Sequence, residues 1–78
     1  MSAPGGGEEV MTLDCRGMLC PLPVIKLAQA FPALAVGDTI AVLADDPAAT
    51  TDIPAWCRMR AQELVSAEDG RYVVRKLG

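Results

Sequence analysis

Histidine is absent from this sequence. That one absence removes Cys-His nucleophilic dyads, Ser-His triads and the imidazole ligands of most zinc sites, so any chemistry must proceed without a histidine base. Aromatic residues are scarce too: Phe31, Trp56 and Tyr72 are the three present. They are not interleaved with runs of Lys or Arg, and seven basic against ten acidic residues leave a net charge of −3. A protein of this charge has little to hold a polyanion with, and direct nucleic-acid binding is not expected. Long apolar runs are missing as well. Lys26, Gln29, Asp38 and Asp45 break the hydrophobic stretches well before the roughly 18 residues needed to cross a bilayer, and no charged start with an apolar h-region opens the chain. A soluble, cytoplasmic protein with no membrane insertion is the expectation.

What is present is mostly aliphatic: of 78 residues, 51% are hydrophobic, enough for a compact core. One domain is the natural reading at this length, and a domain so small leaves much of its surface in water, which argues against a large enclosed active site. The three cysteines, Cys15, Cys20 and Cys57, are odd in number and lack the paired spacings of a secreted disulfide framework, so reduced thiols are expected.

Along the chain, residues 1–9 carry Ser2, Pro4 and the run Gly5, Gly6, Gly7, with almost nothing apolar to bury. They read as a flexible tail ahead of a single domain at 10–78. Val10 to Leu13, ending at Asp14, is long enough for a strand and too short for a helix. A helix is expected to start at Cys20: Pro21 and Pro23 stand where backbone donors lack partners anyway, Val24, Leu27, Ala28 and Phe31 recur at helical spacing, and Pro32 stops the run. After the turn signal Val36-Gly37-Asp38, Thr39 to Ala44 reads as a second strand. Thr50, Thr51 and Asp52 are good caps for a second helix with Pro54 in its first turn and Ile53, Trp56, Cys57, Arg60, Ala61 and Leu64 along one side. Arg60 interrupts that stripe, so its head is expected at the rim. Leu64 to Ala67 and Arg71 to Leu77 read as two strands joined through Asp69-Gly70. The order βαβαββ gives an α+β two-layer sandwich, a four-stranded mixed sheet with two helices packed on one face.

The stretch richest in chemistry is Asp14-Cys15-Arg16-Gly17-Met18-Leu19-Cys20-Pro21-Leu22-Pro23, where the first strand hands over to the first helix. A thiol at a helix N-terminus faces unpaired backbone donors and the positive end of the helix dipole, both of which favour thiolate. The general range for such cysteines is a pKa lowered from about 8.5 to between roughly 3.5 and 7.5, and Arg16 is expected to add to the effect. Pro21 lacks a donor and fixes the helix start, Pro23 stiffens the same turn, and Gly17 admits positive φ. Asp14 and Arg16 read as orienting the loop or meeting a partner, Met18 and Leu19 as an apolar docking patch.

This stretch, with Cys-Pro-Leu-Pro at its heart, resembles the signature of the TusA (SirA-like) sulfurtransferases. Asp45-Asp46-Pro47-Ala48, Thr51-Asp52-Ile53-Pro54 and Trp56-Cys57 are similar to a second block of that family, and the likeness runs from about Thr12 to Lys76. The resemblance implies a sulfur carrier. A cysteine desulfurase or rhodanese would load sulfane sulfur onto Cys20 as a persulfide, and an acceptor protein would take it onward, as in tRNA thiolation or related sulfur trafficking. No cofactor is implied beyond the covalent sulfur, and a monomer is expected.

Plainer readings stand beside these. Cys57 is expected to be a core residue, and Cys15 to pack rather than to resolve a disulfide with Cys20. Asp45, Asp46 and Asp52 read as caps and solvated loop rather than metal ligands. A non-enzymatic regulatory or adaptor module of the SirA-like kind would share the fold without loading sulfur, and a metal site built from the three cysteines would need a fourth ligand.

Overall fold

A computed structural model describes residues 9–78. The tail expected at 1–9 therefore lies, except for Glu9, outside the described residues. Glu9 itself is paired with Arg71.

Strand β1 (Met11–Asp14) leads through a loop to helix α1 (Leu22–Ala30), which tightens into a 3-10 turn over Phe31–Ala33. Strand β2 (Thr39–Leu43), helix α2 (Ala49–Arg60), strand β3 (Glu63–Glu68) and strand β4 (Arg71–Arg75) follow. The sheet order is β1-β2-β4-β3, with β1 parallel to β2 and the other pairs antiparallel. This is the expected mixed sheet.

Strand alternation decides which residues meet the helices. Met11 and Leu13 of β1, Ile40 and Val42 of β2, and Tyr72 and Val74 of β4 belong to one cluster with Leu27 and Phe31 of the first helical segment and Ile53, Trp56 and Cys57 of α2. Leu27, Ile40, Val42, Ile53 and Val74 are fully buried, and burying an aliphatic side chain contributes about 1.5–3 kcal/mol, so this layer dominates stability. Phe31 and Trp56 meet edge to face, ring centroids 5.0 Å apart, which ties the end of the first helix to the second.

Two departures have local causes. Helix α2 begins at Ala49, ahead of the expected caps, so Pro54 lies inside it rather than in its first turn. The entry is wound by short-range bonds, from the amides of Ala49, Thr50 and Thr51 to the carbonyls of Asp46, Pro47 and Ala48, while the Asp46 carboxylate accepts the Ala48 amide at 3.1 Å. The Asp46 side chain thus braces the turn that enters the helix, upstream of the threonines. At its other end the helix stops at Ala61, in the left-handed region at φ 56°, and the Gln62 amide returns to the Cys57 carbonyl at 2.9 Å. That wrap normally uses glycine, which explains why the sequence pattern ran on through Ala61 to Leu64. Leu64 belongs to β3, where a bulge near Val65 shifts the register.

Candidate functional site

Parallel pairing of β1 and β2, with Asp14 beside Leu43, brings the C-terminal ends of both strands to the same edge. The β1–α1 loop and the β2–α2 loop consequently leave the sheet side by side, the usual location for chemistry in a parallel unit. Cys15 donates its amide to the Leu43 carbonyl at 2.7 Å. Gly17, at φ +83°, donates its amide to Asp45 Oδ1 at 2.9 Å. Cys20 donates its amide to Asp46 Oδ2 at 2.7 Å. Two adjacent aspartates therefore clamp the cysteine loop at two points. The β3–β4 turn joins the same end: the Ala44 amide bonds the Gly70 carbonyl at 2.9 Å, and a Cβ on Gly70 would lie 2.8 Å from the Ala44 oxygen.

Cys20 is half-buried against the edge of the core. Pro21, joined to it by a cis peptide, precedes α1, and Pro23 is buried in the helix's first turn. The expectation of free amides aimed at the sulfur is corrected here. The Cys20 amide is taken by Asp46, the Leu22 amide bonds the Leu19 carbonyl at 2.9 Å, and the two prolines have no donor to give.

The expectation of a lowered thiol pKa is corrected with it. Burial raises the Cys20 pKa above its ordinary value, and the facing Asp52 carboxylate adds to the rise through a hydrogen bond and its charge, followed by the charge of Asp46. Arg16 does not offset them, because it is engaged elsewhere. Its Nε and terminal nitrogen grip the two Asp14 oxygens at 2.9 and 2.7 Å. The pair is exposed on both sides, and it holds the Asp14 carboxyl down at about 2. Asp14 and Arg16 brace each other beside the loop rather than the thiol.

The apolar patch also differs from the one expected. Met18 packs against the core, whereas Leu19 is 73% and Met59 80% exposed. Leu22 is exposed as well, and a shallow groove lined by Pro21, Val24, Asp52, Ala55, Trp56 and Met59 runs between the helices next to Cys20. Met59 is thus the most open apolar side chain of this face.

Cys15 and Cys57 are each 2% exposed. Burial raises the pKa of both, Cys57 to about 11. All three thiols are free, and among the described residues no three Cys, Asp or Glu side chains converge as a metal ion would require. Arg60 reaches the rim, its guanidinium 5.9 Å from the Trp56 ring centre.

Asp45, Asp46 and Asp52 are the site residues that sequence reasoning underrated. A signal for them was present: in a parallel β-α-β unit, polar residues just after the second strand stand next to those just after the first, and Asp45-Asp46 directly follow Ala44.

A family model described as Sulfurtransferase TusA matches residues 11–76. Among solved structures, a SirA-like protein from Desulfitobacterium hafniense superposes with a TM-score of 0.63 at 24% sequence identity, over 82% of this chain and 90% of that one. At that identity the likeness is one of fold. No helix of the described residues is long and apolar enough to cross a membrane.

Proposed function

We propose, from the premise that this chain belongs to the TusA family of sulfurtransferases, that Cys20 carries sulfane sulfur as a persulfide between two partner proteins. One observation supports the assignment above others. Of the three thiols, Cys20 alone reaches the surface; Cys15 and Cys57 are enclosed. It does so where two clamped loops and exposed apolar side chains meet.

In the first step the Cys20 thiolate attacks the outer sulfur of a donor persulfide. The donor's S–S bond breaks and its cysteine leaves as thiolate. In the second, an acceptor thiolate attacks the outer sulfur on Cys20 and expels the Cys20 thiolate. Each step exchanges one S–S bond for another, so no external oxidant or reductant enters, and the scheme takes no cofactor. Asp46 and Asp45 fix the loop through the Cys20 and Gly17 amides, and Pro21 and Pro23 hold the backbone around the thiol, so both partners meet the sulfur in one position. The donor is of the cysteine desulfurase or rhodanese type and the acceptor a second protein, as in tRNA thiolation or related sulfur trafficking, in a cytoplasmic setting.

A second reading, a regulatory or adaptor module that never loads sulfur, draws on the carboxylates that disfavour a Cys20 thiolate in the free protein. Intact mass separates the two. After incubation with a cysteine desulfurase and cysteine, or with a rhodanese and thiosulfate, a reductant-labile gain of one sulfur atom that is lost in Cys20→Ala is the expected result. No gain with either donor supports the adaptor reading.

A further inference from the structure

We propose that Asp46 and Asp52 select the sulfur donors that reach Cys20, turning away anionic low-molecular-weight donors and admitting a partner protein whose reactive sulfur is flanked by cationic side chains. The inference rests on Cys20 being the reactive thiol and adds the chemistry of what approaches it.

Two carboxylates act on Cys20, both from the segment that leaves β2 and enters α2. Asp46, from the β2–α2 loop, is fixed by the Cys20 amide at 2.7 Å and the Ala48 amide at 3.1 Å, so it cannot swing away without giving up both bonds. Asp52, from the first turn of α2, lines the apolar groove beside Pro21. Ion pairs among the described residues join Arg16 to Asp14, Arg71 to Glu9 and Arg75 to Glu63, leaving Asp46 and Asp52 outside them. Two cations outside these ion pairs sit over aromatic rings, Arg60 over Trp56 and Lys76 over Phe31.

A small dianion nearing Cys20 therefore meets two negative charges, Asp46 and Asp52, that no ion pair among the described residues neutralises. A cation-flanked protein sulfur meets the opposite field, and its apolar surroundings find Leu19, Leu22 and Met59 exposed around the thiol. The same carboxylates add to the burial that holds the Cys20 proton in the free protein, so a docked cation is attracted and also relieves part of what disfavours the thiolate.

Disulfide exchange with three small reagents tests this without a donor enzyme. The reagents are cystamine (dication), 2-hydroxyethyl disulfide (neutral) and 3,3′-dithiodipropionate (dianion). In each case the Cys20 thiolate bonds one reagent sulfur, the reagent S–S bond breaks, and the other half leaves as thiolate. Rates are divided by those of an unstructured cysteine peptide, which removes intrinsic reactivity. Two charges at contact range predict a cation-to-anion rate ratio raised by roughly tenfold or more at low ionic strength, shrinking as salt is added. Asp52→Asn should lower the ratio, and Asp46→Asn/Asp52→Asn should return it close to that of the peptide. A loop merely loosened by Asp46→Asn would speed all three reagents alike, and Asp52→Asn alone must still move the ratio. A wild-type ratio equal to the peptide's, or one that survives the double substitution, overturns the inference. Failure of Cys20 to accept sulfur in the mass experiment would leave these ratios standing, so the two proposals fail separately.

Discussion

Cys20 and Cys57 are the same residue type, one just ahead of α1 and one within α2, and each holds its proton more tightly than a free thiol does. The causes differ in whether a partner can remove them. Around Cys57 the effect is desolvation by the core, and relieving it means unfolding. Around Cys20 burial acts together with two carboxylates, and an approaching cation can neutralise carboxylates. A raised thiol pKa therefore has a cause locked into the core in one region and, in the other, a cause that a partner's charge can in part relieve.

The largest expected effect separates these regions outright. Native protein treated with iodoacetamide should take one label, on Cys20, and three after denaturation, with Cys20→Ala taking none while folded. Labelling of native Cys57 at a similar rate would dissolve the distinction. Next come two neighbours on α2. Ile53→Ala removes a fully buried side chain and should cost about 2–5 kcal/mol in denaturant unfolding. Its effect on the Cys20 labelling rate should be small.

Asp52→Asn should do the reverse: stability nearly unchanged, and Cys20 alkylation by a neutral reagent at pH 7.5 faster by a factor of a few, as expected for removing one nearby charge. The pH dependence of unfolding probes the Cys57 side. Its folded pKa of about 11 exceeds the unfolded value of about 8.5, so the neutral buried thiol contributes stability that is complete below the unfolded pKa and lost as pH rises through the folded one. Wild-type thermal midpoints should decline between about pH 8.5 and 11, with Cys15 shifted in the same direction, and Cys57→Ala should show a shallower decline over that interval. The smallest effect is at Ala61, whose left-handed backbone costs a non-glycine residue about 1 kcal/mol. Ala61→Gly should raise stability by up to that amount in denaturant unfolding and leave Cys20 chemistry alone.

Much of the fold was legible because its signals are local. Asp69-Gly70 takes positive φ at both residues, 51° and 75°, as a tight hairpin turn requires, and the apolar spacing of Val24, Leu27, Ala28 and Phe31 follows α1. The end of α2 was not legible, since nothing in an alanine announces that it will adopt the conformation usually left to glycine. Gly17 takes the positive φ its residue type allows, yet its partner Asp45 lies 28 positions away. The same holds for Cys20 and Asp46, separated by 26.

Alone, then, the sequence determined the element order, a reactive-looking cysteine at the strand-to-helix junction and two other cysteines suited to the core, because propensity, periodicity and turn chemistry act over a few residues. The surroundings of the thiol were decided only by the tertiary structure. Parallel pairing of β1 with β2 sets Asp45 and Asp46 against the cysteine loop and α2 turns Asp52 towards the sulfur, and electrostatic energy depends on distance in space rather than along the chain.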